Sequence, residues 1–195
     1  MNIFQKIGGI VTKPAKTFKE ISKEKLTDAF AFYALIIIVP VFLLALFIAL
    51  GLSIFTGMIG GAGLSAATGF GGFFIMLFSG YIGRFIGFFI GGLIIYLGVL
   101  IFSKARGLET TYKALAYSST PGILLGWIPY VGFLAGIWGL VLAIIGIKEV
   151  YKIKTGQAVA SVLVIPIVLI LIFVIIALIL GVGLLSYFTG LNAVT

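Results

Sequence analysis

From Val159 to about Tyr187 the chain runs for 29 residues without a charge. A helix needs roughly 20 apolar residues to cross the hydrocarbon core of a bilayer. Inside that core only a helix or a closed barrel satisfies its own backbone donors and acceptors. This block therefore reads as a transmembrane helix, and the rest of the sequence repeats the pattern. Charged residues make up 9% of the 195 positions, against about 25% in an average soluble domain. Too few charges remain to cover a water-facing surface, which excludes a soluble globular fold.

The charges cut the chain into blocks. Ala29 to about Gly51 follows Asp28 and carries Pro40 near its middle, with Thr27 and Asp28 as cap and dipole partner. Gly51 to Gly83 is rich in glycine, and its first half reads as a loop or interfacial segment. Arg84 and Lys104 are 20 residues apart, about 30 Å of helix, so Phe85–Ser103 fits between two interfaces as a second crossing. Phe73–Gly83 is then an outer-side extension or a short segment in the interface. Ala114–Trp127 and Tyr130–Ile147 form a helical hairpin, with Trp127, Pro129 and Tyr130 at an interfacial turn. The block from Val159 is the fifth crossing. The expected fold is all-α: a polytopic membrane bundle of five transmembrane helices. Four or six follow if the glycine-rich region or the short third helix behaves otherwise. Residues 1–27 form a basic amphipathic N-terminal segment and residues 28–195 the transmembrane domain.

Five crossings put the three basic segments on one side. These are the N-terminal tail (Lys6 to Lys25), the second connection (Lys104, Arg106, Lys113) and the fourth (Lys148, Lys152, Lys154). Twelve of the thirteen cations lie there, and the positive-inside rule makes that side cytoplasmic, with the C-terminus outside. The expected location is the cytoplasmic membrane. Before the first crossing, Ile3, Phe4, Ile7, Ile10 and Val11 recur at helical spacing. In Pro14–Lys25, Phe18 and Ile21 share a face amid Lys13, Lys16, Lys19 and Lys23. That pattern suits a helix lying on anionic lipid head groups; the plainer reading is a solvated basic tail.

Chemistry finds little purchase. Cys and His are absent, which removes disulfides and any dyad that needs imidazole or thiolate. The sole aspartate is Asp28, so a pair of intramembrane aspartates is excluded; the glycine of a nucleophile elbow is missing after Ser65. No phosphate-binding loop, dinucleotide fingerprint or metal cluster occurs. An enzyme, a catalytic residue, a cofactor and a nucleic-acid partner are not expected. Ser79, Gly83, Gly87 and Gly91 recur every four residues, a face for a partner helix or a second copy, or for packing inside the bundle. Arg84 reads as a snorkelling anchor at the outer interface, or as a functional charge within the membrane. Tyr117, Ser118, Ser119 and Thr120 precede Pro121. Their hydroxyls can satisfy the carbonyls that proline leaves unpaired, or line the polar cavity of a broken carrier helix.

The chain resembles the Yip1 family. The likeness rests on Lys13-Pro14-Ala15-Lys16-Thr17-Phe18-Lys19-Glu20-Ile21, Thr111-Tyr112-Lys113-Ala114-Leu115-Ala116-Tyr117 with Pro121, and Ile128-Pro129-Tyr130-Val131-Gly132. Trp138, Gly146-Ile147-Lys148 and Gly156-Gln157-Ala158 complete it. The Asp-Leu-Tyr-Gly-Pro motif of eukaryotic members is missing and their Gly-Tyr is Ala116-Tyr117, so the chain is similar to prokaryotic members. The resemblance implies a five-pass fold and a membrane location, without a settled activity. The function expected is a non-enzymatic membrane-organising or interaction scaffold, in contact with the lipid bilayer and with membrane-protein partners or a second copy. A small-solute or ion carrier with a cavity near Tyr117–Pro121 is the alternative.

Overall fold

The computed structural model describes residues 2–50, 69–128 and 130–192, and its regular structure is helical throughout. Helix α1 (Ile3–Thr12) opens on a capping box: Gln5 N donates to Asn2 Oδ1 at 2.8 Å, and Asn2 N donates to Gln5 Oε1 at 3.1 Å. Helix α2 (Pro14–Ile21) begins on a proline, whose missing N–H costs nothing at a first helical position. Helix α3 (Leu26–Ala49) runs on through Pro40. Thr27 lies inside its first turn rather than capping it, and Asp28 accepts from Lys25 N at 3.3 Å.

The second expected crossing, Phe85–Ser103, is the C-terminal part of a longer helix, α4 (Gly69–Ser103). Phe73–Gly83 thus extends this helix and is not a separate interfacial segment. Lipid offers the backbone no competing hydrogen-bond partner, so the helix holds there despite the propensity cost of its glycines. Its 35 residues span about 52 Å, more than one hydrocarbon thickness. The glycine-rich stretch at 51–68 and Pro129 lie outside the described residues.

The expected third crossing, Ala114–Trp127, is not one helix. Helix α5 (Leu108–Ser118) and helix α6 (Thr120–Leu125) are interrupted at Ser119. Helix α7 (Val131–Tyr151) ends on Lys152 in the left-handed region (φ 54°), with Lys148 and Glu149 inside its last turns. Helix α8 (Thr155–Asn192) passes through Pro166. Among the described residues, four helices are long and apolar enough to cross a membrane: Leu26–Ala49, Gly69–Ser103, Val131–Tyr151 and Thr155–Gly181.

Close helix approaches occur at two glycines of α4. A Cβ at Gly98 would sit 2.2 Å from the Ser161 carbonyl oxygen of α8, and one at Gly92 would sit 2.2 Å from the Tyr112 ring of α5. Packing of this kind holds helices together where burial from lipid gains nothing. Of the two readings of the four-residue ladder, packing inside the bundle does not hold: a Cβ at Gly83, Gly87 or Gly91 would meet nothing within 4 Å. Ser79, Gly83 and Gly87 are exposed. Helix α3 packs on α4 through rings, with Tyr33 and Phe88 centroids 4.1 Å apart and Phe42 and Phe73 5.6 Å apart.

Candidate functional site

The helical stripe Ile3, Ile7, Ile10 of α1 also contains Lys6, one residue before Ile7. Ile10 is fully buried, and Lys6 is 8% exposed. A buried ammonium needs a counter-charge and hydrogen bonds. Glu24, in the turn after α2, supplies both: Lys6 Nζ donates to Glu24 Oε2 at 2.6 Å. The same carboxylate oxygen accepts a short hydrogen bond from the Tyr117 hydroxyl of α5, and Lys6 Nζ lies 3.3 Å from Tyr117 Oη. The ammonium also stands 5.4 Å from the Tyr117 ring centroid and 5.9 Å from that of Phe32. Lys113 Nζ donates to the Glu24 carbonyl at 3.2 Å and pairs with Glu109 at 3.3 Å. One cluster thus ties α1, the α2–α3 turn, α3 and α5 together.

Helix α2 is fastened beside it. Phe18 is fully buried and Ile21 nearly so. The Phe18 ring lies against Gly146 of α7, where a Cβ would come within 2.9 Å of it. Lys19 reaches Glu149 at 3.3 Å. Phe18 and Ile21 therefore face the protein, which corrects their expected role as anchors in lipid. The amphipathic pattern was sound, but its apolar face found a protein partner first. Lys13 and Lys16 remain exposed on the other side, while Lys19 and Lys23, also exposed, border α7.

Pro121 cannot donate to the carbonyl of Tyr117, four residues back. Thr120 Oγ1 donates to it instead, at 2.6 Å. Ser118 Oγ donates to Leu115 O at 3.2 Å and Ser119 Oγ to Ala116 O at 3.1 Å. Thr120 and Ser119 thus serve backbone carbonyls around the interruption, as one of the two sequence readings had it, while Ser118 shares a carbonyl already bonded to Ser119 N and the Tyr117 hydroxyl is given to Glu24 instead. Tyr117 and Thr120 are fully buried. The neighbouring groove of about 460 Å³, between α4, α5, α6, α7 and α8, is lined by Ile95, Gly136, Leu140, Pro166 and Ile167 beside Ser118 and Ser119. It presents hydrocarbon rather than the polar cavity a carrier needs. Tyr112 has a structural role as well: its hydroxyl donates to Phe89 O at 2.8 Å over Gly92.

Arg84 is half-buried in the interior of α4, and its carbonyl accepts from the Tyr33 hydroxyl at 3.0 Å. Helix α4 continues 15 residues beyond it towards Gly69, about 22 Å, so Arg84 does not mark the outer end of the helix. The anchor reading placed the crossing at Phe85–Ser103, with Phe73–Gly83 as an outer-side extension or interfacial segment; the helix extends past both. Among the described residues no carboxylate pairs with Arg84.

Segments that carried the likeness to known proteins meet at this end of the bundle. Lys13–Ile21 lies on Gly146, Tyr117 stands under Lys6 and Glu24, and Pro121 follows the interruption. A family model for the Yip1 domain matches residues 8–190. The chain belongs to the Yip1 family. No curated protein and no solved structure matches it. As a Yip1-family membrane protein, it holds its N-terminal helices in the fold rather than as a loose tail. The match begins within α1.

Sequence reading missed Lys6 and Glu24 as site residues. Lys6 left a signal, because a cation inside the Ile3–Ile7–Ile10 stripe is out of place on an amphipathic helix. Glu24 left none, since one acid among lysines reads as a solvated surface.

Proposed function

We propose that this protein is a non-enzymatic membrane-organising scaffold of the cytoplasmic membrane, whose folded basic cap engages anionic head groups and other membrane proteins. The observation that carries this reading is the docking of α2: Phe18 seated on Gly146 turns Lys13, Lys16 and Lys23 outward as a fixed array. A preordered array of cations gains about 1 kcal/mol per lysine near an anionic leaflet without the ordering cost of a flexible tail.

The reading includes five crossings, with α5 and α6 together making the third. Two contacts support it. Thr111, at the start of α5, hydrogen-bonds Tyr151 at the end of α7 at 2.8 Å. Trp127, just past α6, packs on Phe47 near the end of α3, with centroids 5.9 Å apart. Eighteen residues from Leu108 to Leu125 cover about 27 Å, close to one hydrocarbon thickness. The basic end is then cytoplasmic and the C-terminus outside.

The chain has no cysteine, so single-cysteine labels report without background. Asn2→Cys and Asn192→Cys are expected to react with an impermeant maleimide from opposite faces of the membrane; reaction from the same face overturns the odd number of crossings. A fluorophore at Ala15→Cys, in reconstituted vesicles, should be quenched more by spin-labelled phosphatidylglycerol than by spin-labelled phosphatidylcholine. Equal quenching by the two lipids overturns the role of the cap.

A further inference from the structure

Between α2 and the last turn of α7 lies a groove of about 600 Å³, lined by Lys19, Ser22, Lys23, Lys148, Glu149 and Lys152 over Val150 and Ile153. Four lysines and one glutamate line it, and the carboxylate of that glutamate is already engaged by Lys19 at 3.3 Å. Elsewhere at this end, cations held partly out of solvent have carboxylate partners: Lys6 has Glu24 and Lys113 has Glu109. Lys148 is also half-buried, yet among the described residues neither it, Lys23 nor Lys152 pairs with an acid. The negative end of the α7 dipole, worth about half a charge, falls short of offsetting three unpaired ammonium groups.

We propose that this groove is a binding site for a phosphate-bearing anion of two or more negative charges. Lys148 and Lys152 hold the phosphate from the α7 side, and Lys23 holds it from the other. A lysine ammonium binds phosphate as a point charge and tolerates varied geometry. Helix α7 has 21 residues, about 31 Å, so its last turn reaches head-group depth if the helix spans the membrane. There the nearest phosphate source is a lipid head group, with Val150 and Ile153 beneath its glycerol. The lipid source rests on the membrane orientation proposed above; the phosphate site itself does not.

The test uses the full chain in two settings. In phosphatidylcholine nanodiscs doped with phosphatidic acid, lipids retained by the protein are counted by native mass spectrometry. In detergent, inorganic pyrophosphate is titrated by calorimetry. The groove variant Lys148→Gln/Lys152→Gln is compared with Lys104→Gln/Arg106→Gln, which removes the same charge away from the groove. The groove variant should lose affinity about tenfold or more, at roughly 1 kcal/mol per lysine, while the comparison variant stays within about twofold. Lys148→Arg/Lys152→Arg should restore binding, which separates charge from folding, and the groove variant should melt like the parent.

Groove-dependent retention of phosphatidic acid supports the site with a lipid source. Groove-dependent binding of pyrophosphate alone supports it with a soluble source and counts against the membrane orientation. Equal losses in both glutamine variants, or no binding of either probe, overturn the site.

Discussion

The end of the bundle that gathers α1, α2 and the last turn of α7 differs sharply from the distal half of α8, although both are rich in large apolar side chains. At the first, Ile10, Phe18, Leu142 and Tyr117 are fully buried, and Lys6 and Glu24 are locked among them. Along α8, every large apolar side chain from Ile167 to Leu180 is exposed. Water explains the first: apolar groups at a membrane boundary gain about 25 cal/mol per Å² by leaving it, so the chain seals that end with its own N-terminus. Lipid explains the second, since leaving hydrocarbon for a protein core brings no such gain. Tight packing in the membrane therefore depends on shape, and it is found at Gly92 and Gly98 rather than wherever the side chains are most apolar.

The contrast can be broken most severely at Gly98. In Gly98→Leu the new side chain meets the Ser161 backbone, which cannot yield without parting α4 from α8. A loss of about 1–3 kcal/mol or more is expected, read as a large fall in melting temperature in detergent. Gly87→Leu, pointing into open space on the same helix, should melt within a few degrees of the parent. If the two variants melt alike, the assignment of packed and open faces on α4 is wrong.

Next comes the charged cluster. Lys6→Met leaves the Glu24 carboxylate without its cation. Because Glu24 keeps 22% side-chain exposure, about 2 kcal/mol is expected rather than the 3–5 of a fully enclosed pair. The double variant Lys6→Met/Glu24→Gln should recover part of that loss. A double variant less stable than Lys6→Met would mean that the two residues do not act as a pair.

Tyr117→Phe keeps the ring against Phe32, 4.8 Å away, and removes only the hydroxyl. It should cost about 1–2 kcal/mol, and less when Glu24→Ala has already removed the carboxylate that accepts from the hydroxyl. Additive losses would show that Tyr117 acts outside the cluster. The smallest effect belongs to the bare region: Phe173→Ala, at a side chain 72% exposed, should change stability by less than about 0.5 kcal/mol. A loss above 1 kcal/mol in bilayers but not in detergent would indicate that another protein covers this face.

Much of the architecture was legible in the chain. Block lengths and charge placement mark α3, α7 and α8 within a few residues, because hydrocarbon excludes charge so strongly that its absence is a measure of length. Pro121 and the hydroxyls before it announce a repaired backbone, since the missing donor and its substitutes are adjacent in sequence. Two of the segments that carried the family likeness meet other parts of the chain at one end of the bundle: Phe18 lies on Gly146, and Tyr117 bonds Glu24. Less legible was α4. Its glycines occupy several faces, and with apolar surroundings on every side no periodicity tells Gly92 and Gly98 from Gly83, Gly87 and Gly91.

The sequence by itself determined that this protein lives in a membrane, that it is helical, and that its cations gather in three segments, because each follows from the cost of charge and bare backbone in hydrocarbon. The tertiary structure alone decided that Phe18 and Ile21 turn inward and that the third apolar block is interrupted at Ser119. It also decided that Lys6, Glu24 and Tyr117 share one site. Those outcomes depend on which surfaces fit one another, and fit between groups as far apart in the chain as Lys6 and Tyr117 leaves no local pattern to read.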